Sequence, residues 1–259
     1  MKFNNKTNCL PLIAAVLGLI ALILRLGLFA LGTDQKGLLI AGHPLDILVW
    51  IFTAAAVLLA ATVLPQKTDA AEDSDDFRLF APAAIGTFAL AGGITLSVLT
   101  GWDAWTRLEQ LRNLTGIAAI PALVLTGLTR FQGKRPFFGF HALVCLHLTL
   151  RTISHYQVWC SSPQLQTYLF SMAASILLCL FAYYQTASDA DLGNLRLRWF
   201  TGLLGSFFCL AAAADGADIL LYLGGALWML TNLGRFAPAR PTGKMSRSKG
   251  EPADDHEPA

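Results

Sequence analysis

Leu125-Thr126-Gly127-Leu128-Thr129-Arg130-Phe131 returns as Leu230-Thr231-Asn232-Leu233-Gly234-Arg235-Phe236, each copy closing a run of four apolar segments. A four-span unit brings a chain back to its starting side of a bilayer. Two such units therefore share one orientation and are related by an axis along the membrane normal. Other correspondences support the duplication. A shift of 126 positions pairs Leu24 and Arg25 with Leu150 and Arg151, 119 pairs Pro44 with Pro163, and 120 pairs Arg78 and Phe80 with Arg198 and Phe200. Leu- and Ala-rich helices align with almost anything, so the arginine, proline and Arg-Phe pairs carry this reading. Chance combined with shared topogenic constraint is the alternative.

The class follows from the composition. The 259 residues are 54% hydrophobic and only 14% charged, with a mean hydropathy of +0.53, and apolar runs of spanning length recur along the chain. The sequence predicts an all-α integral membrane protein with eight transmembrane helices in two parallel four-helix repeats. The first half, residues 1–131, has spans at 10–31, 45–64, 79–99 and 114–129, with a short interfacial helix at 102–112. The second half, residues 132–236, has spans at 137–158, 165–184, 199–214 and 217–233, and residues 237–259 form a polar tail expected to be disordered. The fourth, seventh and eighth spans lie near the ~17-residue lower limit for crossing.

Lys and Arg set the sidedness. With the N-terminus inside, Lys2, Lys6, Lys67, Arg78, Arg130, Lys134, Arg135, Arg196, Arg198, Arg235, Arg240, Lys244, Arg247 and Lys249 are inner, whereas only Lys36, Arg107, Arg112 and Arg151 are outer. Fourteen against four predicts both termini in the cytoplasm, in the cell's plasma membrane. The first span is read as retained, because it runs past a typical signal h-region, contains Arg25 and lacks an Ala-x-Ala site. A net charge of +2 gives no reason to expect nucleic acid as a partner. No phosphate-binding or dinucleotide glycine motif occurs, and the five cysteines have no paired spacing. No cofactor or metal is expected.

Charged residues within apolar helices are the candidates for function. A central arginine costs about 2.5 to 3.5 kcal/mol on insertion scales, so something must compensate for Arg25 and Arg151. One option is snorkelling to headgroups or bonding to neighbouring carbonyls. The other is a symmetry-related pair lining an outward-facing polar cleft, where guanidinium groups suit a carboxylate or phosphate. His147, Arg151 and His155, spaced by four, rise along one face of the fifth helix, and His141 lies deeper on the same helix. Asp46, at the start of the second helix, caps that helix or pairs with an arginine. Asp215 and Asp218 fill the turn before the eighth helix, with Asp103 in the equivalent place in the first half, and the same two roles are open to them. The candidate binding cleft is therefore Arg25, Asp46, His147, Arg151, His155, Asp215 and Asp218.

The leading expectation is transport or binding of a small, anionic solute. The alternative is a non-enzymatic assembly or regulatory protein that binds a cytoplasmic or membrane partner subunit through the acidic run Asp69 to Asp76 or the basic tail. A membrane-embedded lipid-acting enzyme ranks below both, because no nucleophile elbow or His-Glu-x-x-His helix is present.

Overall fold

A computed structural model describes residues 9–33, 39–40, 42–64, 81–102, 106–132, 136–160, 165–190, 192–216 and 218–233. The acidic run, the tail, Asp103 and the closing Gly234-Arg235-Phe236 lie outside the described residues. The remainder forms eight helices: α1 Leu10–Leu31, α2 Pro44–Ala61, α3 Ala81–Thr100, α4 Arg107–Phe131, α5 Phe138–Trp159, α6 Leu165–Asp189, α7 Leu195–Ala212 and α8 Ile219–Asn232. A short 3-10 turn, Ala213–Asp215, joins α7 to the approach of α8.

Six helices are long and apolar enough to cross a membrane: α1, α2, α3, α4, most of α6, and α7 with the turn that follows it. This is a helical, multi-pass membrane protein. The 14 residues of α8 are fewer than a full crossing needs. α5 has the length, 22 residues, but its apolar character is diluted by His141, His147, Arg151 and His155.

Local chemistry accounts for the helix boundaries. Proline in the first turn opens α1 and α2, where a missing N–H is no loss. At α2 the cap is His43, whose Nδ1 accepts from Leu45 N at 3.3 Å; Asp46 is not the cap. Thr106 and Glu109 form a reciprocal capping box, so α4 starts at Arg107. The separate interfacial helix expected at 102–112 is thus replaced by the first turn and a half of α4. Asn194 caps α7 by accepting from Arg196 N and Leu197 N.

Packing groups the helices as two plus six. From α3 to α8 each helix packs on the next, and α8 closes back onto α3, giving a ring in chain order. The α1–α2 hairpin docks outside this ring, on α7. Among the described residues α6 packs extensively on α7, while α2 and α3 do not make the corresponding contact. The neighbour scheme of residues 1–131 is therefore not reproduced in 132–236.

The ring closes through bare backbone. A Cβ on Gly93 of α3 would lie 2.6 Å from Leu221 Cα, and one on Gly224 of α8 would lie 2.5 Å from Ala89 O. Small residues that let helix backbones touch substitute, within lipid, for the hydrophobic drive that water would supply. Trp228, Tyr222, Phe181 and Phe207 fill the interior, while Leu12, Ile23, Leu58 and Leu99 face outward, as a lipid-exposed perimeter requires.

Candidate functional site

Both embedded arginines point at the same turn. The end of α7 and the turn after it read Ala211-Ala212-Ala213-Ala214, small residues beside which α1 lies close, and Arg25 Nη1 donates to Ala211 O at 2.9 Å. Arg25 Nη2 lies 2.6 Å from Asp215 Oδ1, with both side chains buried. Its guanidinium also lies over the Phe170 ring, 4.3 Å from the centroid, and 5.3 Å from that of Phe29. Such a desolvated cation–π contact contributes about 2 kcal/mol.

Three residues further along, the chain reverses. Gly216 has φ +78° and Asp218 φ +56°, the one non-glycine residue with positive φ among those described. Asp218 occupies the N-cap position of α8 but makes no side-chain cap bond. Its carboxylate instead accepts from Arg151 Nη2 at 2.6 Å. Left-handed backbone costs an ordinary residue roughly 1–2 kcal/mol, less for aspartate, and here it aims the side chain at α5. Asp218 sits at the positive end of the α8 dipole, which favours its charge, whereas Asp215 lies in the turn that closes the C-terminal end of α7.

A hydroxyl chain joins the two pairs. Ser171 Oγ donates to Asp215 Oδ2, Tyr222 OH donates to Ser171 O at 3.3 Å and lies 3.3 Å from Ser175 Oγ, and Arg151 Nη1 donates to Ser175 Oγ at 3.0 Å. Ser171 and Ser175 fall one turn apart on α6 and so share a face. The Arg151 guanidinium also lies 5.4 Å from the Tyr222 ring centroid. The result is a continuous buried network drawn from α1, α5, α6, α8 and the 213–218 turn.

Of the seven predicted cleft residues, Arg25, Arg151, Asp215 and Asp218 form this network, and His155 joins its edge with Nε2 3.9 Å from Asp218 Oδ2. Asp46 is half-buried at the start of α2 and makes no ion pair among the described contacts. His147 turns toward α4, where its Nδ1 lies 3.1 Å from Arg112 O and 3.5 Å from Thr115 Oγ1. Arg112 Nη1 donates to Ser154 Oγ at 3.4 Å. Asn113 Nδ2 donates to Gly101 O at 2.6 Å, which ties the start of α4 to the end of α3. Ser171, Ser175 and Tyr222 were not among the predicted residues. The serines had a signal in the sequence, as two hydroxyls spaced by four in the apolar middle of α6, whereas Tyr222 on α8 had none.

Among the described residues, no group of three or more His, Cys, Asp or Glu is arranged to hold a metal ion. Comparison of the chain with known family models, curated proteins and solved structures finds no match.

Proposed function

We propose that the chain is a small-solute transport or binding protein of the plasma membrane, and that the Asp215–Asp218 turn occupies an anion site when no solute is bound. In this reading the two carboxylates stand in for the anionic groups of the solute. The observation that carries it is the convergence of two embedded arginines, from separate helices, on one short turn. A displacement of that single turn frees both guanidinium groups together, and guanidinium forks suit carboxylate and phosphate. Asp218 is the more accessible acid, its side chain 14% exposed against 5% for Asp215, so exchange begins at Arg151. Eight crossings with both termini cytoplasmic, α5 and α8 included, belong to the same proposal. Duplication would explain why each half carries its arginine on its first helix, although the packing around the two has diverged.

The test is binding and uptake in proteoliposomes of the full chain, with acetate, succinate and inorganic phosphate as probes. Removing the internal competitor in Asp218→Asn raises affinity for the accepted anion, whereas Arg151→Gln abolishes binding and leaves membrane insertion intact. If none of these anions is bound by the wild type or by Asp218→Asn, the proposal is rejected.

A second reading draws on the same contacts. Each guanidinium is already paired with an acid and a neutral acceptor, which is what a purely structural pair in an assembly or regulatory protein requires. Under that reading Asp218→Asn only destabilises, and a partner subunit co-purifies with the chain.

A further inference from the structure

At the opposite end of the bundle lies a second buried polar cluster. His141 of α5 bonds through Nδ1 to Asp189 Oδ2, and both side chains have no exposed surface. Asp189 Oδ1 accepts from Gln185 Nε2 at 3.3 Å and lies 3.9 Å from Arg130 Nη2. Arg130 also donates to Asn232 Oδ1, whose amide donates to Trp228 O at 2.7 Å. The imidazole stacks on the Trp228 indole, with centroids 5.9 Å apart and planes at 29°.

Four buried polar atoms of this cluster make no hydrogen bond: His141 Nε2, Gln185 Oε1, Arg130 Nε and Trp228 Nε1. Buried polar atoms are almost always paired, and an exception calls for a cause. The charges give one. Arg130 faces Asp189 from α4, and Arg198 of α7 acts on the same carboxylate, so the resting cluster already has its cations. With Nδ1–H committed to Asp189, the neutral ring presents Nε2 as a bare acceptor.

We propose that His141 Nε2 is a proton-binding site loaded from this end of the bundle. A hydronium gives up one proton and leaves as water, one N–H bond forms at Nε2, and the imidazolium stays paired with the Asp189 carboxylate through Nδ1–H. Gln185 Oε1 is an acceptor within the same cluster for a water that delivers the proton. Asp189 from α6 and Trp228 from α8 touch the ring; around Asp189 stand Gln185 from α6, Arg130 from α4 and Arg198 from α7, and Asn232 from α8 holds Arg130. The site holds whether or not the chain carries a solute.

Trp228 is a built-in reporter, because an imidazolium stacked on indole quenches its emission. The experiment uses the full chain in phosphatidylcholine–phosphatidylglycerol nanodiscs, titrated from mildly alkaline to acid pH. Tryptophan emission should fall on acidification, and that component should vanish in both His141→Gln and Trp228→Phe. An acid quench unchanged in either variant overturns the site. A second measurement does not depend on His141→Gln folding. With ring-15N histidine, the one of the five imidazoles whose signals move in Trp228→Phe should show the Nδ1–H tautomer at alkaline pH and gain a second ring N–H on acidification. If that imidazole starts as the Nε2–H tautomer, or stays neutral throughout, the assignment is wrong.

Discussion

Arg25 and Arg151 occupy matching places in the sequence and differ in what holds them. Arg25 is wedged between two phenylalanine rings, a helix-terminal carbonyl and Asp215. Arg151 is held by a serine, a tyrosine ring and Asp218, and its Nε is buried with no hydrogen bond. The first site is an anchor that pins the α1–α2 hairpin to the ring. The second is built of hydroxyl groups that can re-pair and an acid with partial access to solvent. A cation in an aromatic cage has nowhere else to go, whereas one in a polar chain has alternatives.

The largest effect should come from Arg25→Gln. It leaves the Asp215 charge buried without its cation, and breaking such a pair costs about 3–5 kcal/mol. Denaturant unfolding in detergent micelles should register that loss, and a loss under 1 kcal/mol would remove the anchor role. Asp218→Asn comes next, at about 1.5–3 kcal/mol for a charge-assisted bond, because Arg151 keeps Ser175. Equal losses for the two variants would erase the distinction between the sites. Ser175→Ala should cost about 0.5–1.5 kcal/mol and, in a double-mutant cycle with Asp218→Asn, should show coupling through their shared arginine. Smallest is Phe170→Leu: leucine keeps apolar bulk and Phe29 still faces the guanidinium, so only part of the roughly 2 kcal/mol cation–π contribution is lost, about 0.5–1 kcal/mol. It should leave the stability effect of Asp218→Asn unchanged; any dependence between them would mean that the two sites act as one.

Much of the helical layout was legible from hydropathy. α1 falls at the predicted 10–31, and α2, α3, α5 and α8 lie within three residues of their expected ends. The misses have local causes. α4 runs from Arg107 because Thr106-Arg-Leu-Glu109 is a capping box, a signal readable in the sequence that the apolar run from Leu114 does not carry. α6 was stopped at Tyr184, where the apolar run gives way to Gln185 and Thr186, yet the helix continues to Asp189. That extra turn carries the partner of His141, so the second cluster was lost with it. The pairing of Arg25 and Arg151 with Asp215 and Asp218 was open as one of two readings. That both arginines reach the same turn was not, because symmetry between the halves assigns one arginine to each connection and so leaves one of the two for that near Asp103. Docking of the α1–α2 hairpin on α7 depends on which alanine faces fit together, and hydropathy is the same for all of them.

The brevity of α8 has an electrical corollary. Fourteen residues rise only about 21 Å, short of the roughly 30 Å hydrocarbon layer, and Leu220 and Leu227 leave one flank of the helix open to lipid. If α8 crosses as proposed, the bilayer thins beside that flank or lets water in at the helix ends. On that arrangement the voltage drop would be concentrated between Asp218 and Asn232, and a charge passing from one polar cluster to the other would sense most of the membrane potential, about 2.3 kcal/mol per 100 mV.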